Sequence, residues 1–293
     1  MRRAACNELV HDRPFAEACR LIAHHGFRGI ELAPYSLAED PLRIPAGQVR
    51  EIRGTIQDVG LECVGLHWLL KAPSGLHITT PDAAVRRRSW EAVRTLVDFC
   101  RATGGSLVVL GSGKQRGAQG ISREAATAIL RDELASLAPH LEGAGVTLLL
   151  EPLQARVTDV LNTLDEARAI IAAIESPRIA SMLDFHNSQD EREPWASLIA
   201  THADIIRHVH LNEVDGRHPS LAAGAGRARS EYSAAFRALA AGGYTGWVSL
   251  ETFHAADSPE AVLTETRAFL DHMASAVREG ASARPEAPSQ GGS

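Results

Sequence analysis

Four side chains able to hold a divalent cation stand at the ends of four short hydrophobic runs: Glu151 in LLLEPL, Asp184 in SMLDFHN, His210 in RHVHLNE and Glu251 in VSLETF. The intervals are 33, 26 and 41 residues (151 to 184, 184 to 210, 210 to 251), each close to one strand plus one helix. Three carboxylates and one imidazole make a donor set suited to Mn²⁺, Mg²⁺ or Co²⁺ that also admits Zn²⁺, with Mn²⁺ the first expectation. Gathered without a cation, the three carboxylates would repel one another. Taken singly, each is as readily the polar end of its own strand. All four in register are expected to hold one divalent cation.

Elements must exist to deliver them. Strand-like runs are expected at 3–8, 29–33, 62–66, 106–111, 146–151, 179–184, 205–211 and 247–251. Between them lie segments with apolar residues three and four apart, such as AVRRRSWEAVRTLVDFCRA and AATAILRDELASLAPHLEGA, the spacing of amphipathic helices. In HHGFRGIEL, EGAGVTLLLE and AGGYTGWVSLE a glycine stands where a helix should stop and the next strand begin. TTPDAAV and DSPEAV place Pro near a helix start. Eight such units predict an α/β fold, a (β/α)8 TIM barrel in a single domain over residues 1–278. The competing open, doubly wound sheet needs a glycine-rich phosphate turn after its first strand, where this chain has Glu8-Leu9-Val10-His11. GSGKQRG, after the fourth run, lacks the spacing and following Ser or Thr of a P-loop. Residues 279–293, EGASARPEAPSQGGS, have the composition of a disordered tail.

The rim ends of barrel strands all face one way, so these four residues would occupy contiguous places around a single mouth. The 293-residue chain carries 45% hydrophobic and 23% charged residues, enough for one full core, and a formal net charge of −6. No basic excess points to nucleic acid or an anionic membrane surface, and the Arg86-Arg87-Arg88 run is expected on a solvated helix face. No apolar stretch approaches the ~20 residues that span a bilayer, and the N-terminus turns polar too soon for a signal peptide. Cys6, Cys19, Cys63 and Cys100 show no disulfide or zinc spacing and are expected to be free thiols of a cytoplasmic protein.

These motifs resemble the sugar-phosphate isomerase/epimerase superfamily of xylose-isomerase-like barrels over about residues 3–275. GFRGIELAP, LLLEPL, the Asp-Phe-His of the sixth strand, HVHLNE and GYTGWVSLE carry the likeness, which is closest in pattern to the ketose 3-epimerases. The resemblance implies that Glu151 and Glu251 both bind the cation and flank the reacting carbon as acid/base groups, while Asp184 and His210 are ligands only. It also implies proton transfer through a cation-stabilised cis-enediolate, on a small keto-sugar or keto-polyol, and a homodimer. The family's pattern shifts in two places. His186 follows Asp184 by two residues rather than three, with Asn187 in the third place, and Arg217 follows His210 by seven rather than six. The alternative on the same site is a lyase that expels a β-hydroxyl or glycosidic oxygen, with His186 or His67 as its acid. An endonuclease would need further metal ligands and basic loops, and a non-catalytic sugar-binding barrel would not need paired glutamates.

Around the four ligands, His67 and Trp68 end the third strand and are expected to touch substrate, one through a hydrogen bond and the other as an apolar wall. His186 and Arg217 are further substrate contacts by the resemblance. Lys114 and Arg116 in GSGKQRG are candidates for an anionic group on the substrate, as are Arg227 and Arg229. Glu8, Asn7 and Glu31 would reach a substrate hydroxyl or form structural ion pairs. His208, two residues before His210, shares its strand face one layer deeper.

Overall fold

The computed structural model describes residues 1–222, 229–254 and 258–282. Eight parallel strands close on themselves in the order β1 to β8: Arg2–Cys6, Gly29–Leu32, Glu62–Leu66, Leu107–Leu110, Thr147–Leu150, Ile179–Asp184, Ile206–Leu211 and Trp247–Leu250. β8 pairs with β1 through Arg2↔Trp247 to Ala5↔Leu250, so no edge is left open. The expected strands are all present, their ends differing from expectation by up to two residues. The first stops at Cys6 because Asn7–Val10 turns into a 3-10 helix.

Eight α-helices alternate with the strands: α1 Phe15–His24, α2 Ala46–Asp58, α3 Ala83–Thr103, α4 Arg123–Ala144, α5 Leu164–Ile174, α6 Trp195–His202, α7 Arg229–Ala241 and α8 Pro259–Ser282. Gly26, Gly145 and Gly243 hold φ of +84°, +70° and +73°, the left-handed turn expected where each helix gives way to a strand. Pro81 stands near the start of α3, as expected. Asp82, after the proline, is the cap, its carboxylate accepting from the N–H groups of Ala84 and Val85 at 2.8 and 3.1 Å. α8 runs to Ser282, beyond the position 279 where the tail was expected, and residues 283–293 lie outside the described residues.

Most apolar side chains form one layer between strands and helices, including Leu66, Leu110, Leu150, Phe185 and Phe269. Inside the barrel, Val109, Leu149, Ala180 and Met182 form one packed group. Ala4, Val64 and Trp247 close the end where the strands begin. The interior is thus a filled core, which leaves the opposite rim for chemistry. All four cysteines are free thiols. Among the described residues no helix is long and apolar enough to cross a membrane.

Candidate active site

Alternation along a strand turns every second residue inward, and at the rim that rule gathers the four expected ligands. Asp184 and His210 are direct partners in the β6–β7 register, and His210 pairs with Ser249, two residues before Glu251, across β7–β8. One donor atom from each of Glu151, Asp184, His210 and Glu251 lies within 4.8 Å of the others, all four residues buried. His210 Nδ1 stands 3.0 Å from Glu251 Oε2, 3.6 Å from Asp184 Oδ2 and 4.0 Å from Glu151 Oε1. Neither His210 Nδ1 nor Glu251 Oε2 is aligned in a hydrogen bond, although both are buried. Buried lone pairs converging on one point, with three carboxylates around them, fit a divalent cation.

The second layer fixes these donors. Glu31 on β2, fully buried, receives the Nε2 atoms of His208 at 2.8 Å and His210 at 3.0 Å. With Nε2–H committed to Glu31, Nδ1 of His210 is the ring atom left able to bind a cation. Glu31 is therefore an internal orienting group, and His208 sits one layer down as its strand position implied. Asn187 was a mere departure from the family pattern in the sequence, but in the structure it ties two of the clustered carboxylates together. Its N–H donates to Asp184 Oδ1 at 2.8 Å and its side-chain amide to Glu151 Oε1 at 3.1 Å. Asn212 adds a donor to Asp184 Oδ2 at 3.3 Å and accepts the N–H of His186 at 2.8 Å. Gly111 at the end of β4 makes room for the other carboxylate oxygen: a Cβ there would stand 1.6 Å from Glu151 Oε2.

Electrostatics follow the crowding. Burial, then the neighbouring Asp184 and Glu251, pushes the Glu151 carboxyl well above the usual carboxylate range. Burial also raises Glu251, against the pull of His210. Burial alone would lower His210, yet Glu251 and Glu31 hold it well above the ordinary imidazole value. Without a cation the cluster keeps protons that a cation must displace.

A cavity of about 750 Å³ opens above the cluster. Of the four clustered residues, Glu151 and Glu251 line it, whereas Asp184 and His210 do not. His67, Trp68, Lys114 and His186 also line it. His67 Nε2 pairs with Glu8, which also accepts from Tyr35 Oη at 2.7 Å. Trp68 donates its indole N–H to Glu251 Oε1 at 3.1 Å, from a backbone held at φ +52°, a region a tryptophan rarely occupies. That contact leaves Glu251 Oε2 as the oxygen facing the cluster. His186 Nδ1–H donates to the Val214 carbonyl at 2.8 Å, so its Nε2 is the acceptor presented to the cavity side.

Neither of two further expected substrate contacts, Arg116 and Arg217, lines the cavity. Arg116 is fully buried and donates to the carbonyls of Leu110, Glu151, Val160 and Leu161 at 2.6–3.3 Å. Burial pushes its guanidinium down to about 10, still charged at neutral pH. It ties the ends of β4 and β5 to the loop beyond, and nothing of it faces the cavity. Arg116→Met should therefore lower unfolding free energy by about 3 kcal/mol, because buried carbonyls lose their donors. Equilibrium urea unfolding reads this, and a change under about 0.5 kcal/mol would return Arg116 to the substrate-contact candidates. Arg217 is absent from the cavity lining; its side chain is 55% exposed and its Nε donates to Asp215 at 2.7 Å. Of the two arginines before α7, Arg227 lies outside the described residues and Arg229 is the first residue of that helix.

Known proteins resemble this chain in sequence and in fold. The chain is 29% identical over 245 residues to the L-ribulose 3-epimerase of Mesorhizobium japonicum, covering 81% of this chain and 76% of the other. It is 24% identical over 212 residues to the fructoselysine 3-epimerase of Shigella flexneri, covering 70% and 74%. A solved L-ribulose 3-epimerase superposes with a TM-score of 0.82 at 23% identity, covering 98% of this chain and 99% of the other. The family model described as xylose isomerase-like TIM barrel matches residues 19–273. The chain belongs to the xylose isomerase-like TIM barrel family.

Proposed function

We propose that this protein is a divalent-metal-dependent epimerase of a small keto-sugar or keto-polyol, of the ketose 3-epimerase type. One observation carries the reading: of the four clustered ligands, the two that reach the cavity are both glutamates, delivered from β5 and β8. Two carboxylates facing one substrate carbon are what inversion at that carbon requires. Glu151, Asp184, His210 and Glu251 would hold the cation, Mn²⁺ by first preference, and Asn187, Asn212 and Glu31 keep them in place. When bound, the cation acidifies the C–H between carbonyl and hydroxyl by drawing charge toward their oxygens.

The protein's own groups then move the proton. One glutamate removes it from one face, leaving an enediolate, and the other returns a proton from the opposite face. The indole N–H of Trp68 on Glu251 and the Asn187 amide on Glu151 fix the two carboxylates in the required orientation. Trp68 and Phe253, edge to face at 6.4 Å, supply the apolar wall that keeps water from the carbanion. The epimerase names of the relatives support this reading over the lyase alternative. Its test is product identity. Incubation of the Mn²⁺-loaded protein with ketoses, among them L-ribulose, should give the C3 epimer in equilibrium with substrate. A dehydrated product would assign the site to the lyases.

A further inference from the structure

The chain carries 30 lysines and arginines, and only two of them are lysines, Lys71 and Lys114. Both line the cavity above the glutamate pair. We propose that they form an anion-recognition arc with Arg156, and that the keto-sugar carries a phosphate or carboxylate at the end remote from its reacting carbons. This deepens the epimerase reading and rests on it for which end of the substrate lies at the floor.

Three neighbouring rim loops supply one cation each: Lys71 between β3 and α3, Lys114 between β4 and α4, Arg156 between β5 and α5. The first two loops are tied together, because Ser112 Oγ, buried, accepts the N–H of Leu70 at 3.1 Å. Leu70 adjoins Lys71, and Ser112 lies two residues before Lys114. Aromatic faces position the Lys71 ammonium, with Nζ 3.8 Å from the Tyr35 ring centre and 4.6 Å from that of Trp68. Arg156 is held by Gln154 and comes within 3.5 Å of His186 Nε2.

Among the described residues none of the three cations forms a salt bridge, and the acid at the mouth, Asp215, is taken by Arg217. Three positive charges here stand out in a chain of formal net charge −6. Below them the floor presents Glu151 and Glu251, so the cavity is polarised from negative floor to positive mouth. An anionic tail would be repelled by the floor and drawn to the mouth, which fixes which end of the substrate enters first. A compact ammonium serves as a point charge for phosphate or carboxylate where a planar guanidinium is wider. The cavity, at about 750 Å³, is in the upper part of the range for small-ligand sites and leaves room for such a tail.

The test compares kcat/KM of the Mn²⁺-loaded protein for D-fructose, D-fructose 6-phosphate and D-fructuronate, which differ only at the sixth carbon. At about tenfold per ammonium contact, one anionic ketose should exceed D-fructose by about 100-fold. Which of the two does so separates phosphate from carboxylate. The Lys71→Met/Lys114→Met double variant should lose about 100-fold more on that ketose than on D-fructose. Equal values for all three substrates, or equal losses in the variant, would overturn the arc. A second arm needs no turnover: with two lysine side chains in the chain, borohydride-trapped pyridoxal 5′-phosphate labelling is read peptide by peptide. Millimolar inorganic phosphate should protect Lys71 and Lys114 from the label. Labelling indifferent to phosphate argues against the arc even if no ketose is turned over, and that last result alone would count against the epimerase reading.

Discussion

Replacing Glu151 or Glu251 by glutamine should each lower kcat by about 10³-fold or more, since each change removes a proton carrier within an unaltered shape. Glutamine keeps the volume and one oxygen but neither accepts the substrate proton nor returns one. A loss confined to KM would mean the residue binds without moving a proton. Retention of near-normal kcat by either variant would remove that residue from the mechanism. The same variants make an opposite prediction for stability. Glu151 sits among Asp184 and Glu251 and is held well above its usual range by burial and by those charges. Glu151→Gln relieves that repulsion, so the cation-free variant should unfold at higher urea than the cation-free parent. Losing activity while gaining stability is expected of a residue kept for chemistry.

Removing the cation has the second large effect. Exhaustive chelation should abolish turnover, and Mn²⁺ should restore it, with Co²⁺ and Mg²⁺ restoring it to differing extents. Mn²⁺ at 100 times its Kd should stabilise the fold by about 2.7 kcal/mol, read as a concentration-dependent rise in Tm. The binding should also release protons. Against the effect of burial, Glu251 and Glu31 hold His210 above the ordinary imidazole value, so near neutral pH the empty cluster is protonated where the ligand lone pair must be. Cation affinity must then fall as pH falls, by about tenfold per pH unit for each proton displaced. Calorimetry in buffers of different ionisation heat counts those protons. Affinity independent of pH between 6 and 8 would show that the cluster is already deprotonated.

The barrel was legible in the sequence because its strands are buried on both faces, which makes each a short, nearly continuous apolar run ending in a polar rim residue. The four clustered residues were legible for the same reason: Asp184, His210, Glu151 and Glu251 stand where those runs stop. Loop side chains were not, because no periodicity governs which way they turn. GSGKQRG has the composition of an anion-binding loop, yet Lys114 faces the cavity and Arg116, two residues on, turns inward to four backbone carbonyls. Arg217 follows a turn through Gly216, at φ +83°, and pairs locally with Asp215.

Asn187 was visible only as a gap in a family pattern, although its place three residues after Asp184 is the spacing at which a side chain accepts a backbone N–H. Glu31 is a charged residue inside a strand that is buried throughout, and a buried carboxylate needs partners. That signal was in the sequence. The identity of the partners, the two histidines of β7, depended on barrel closure.

Two opposed glutamates acting on one carbon leave an isotopic signature, read by initial-rate turnover of a ketose in D₂O with Mn²⁺, followed by mass spectrometry and NMR. Every product molecule should carry one deuterium at the inverted carbon, while unreacted substrate keeps its protium. Product without solvent deuterium, or substrate exchanging as fast as product forms, would contradict the two-glutamate mechanism.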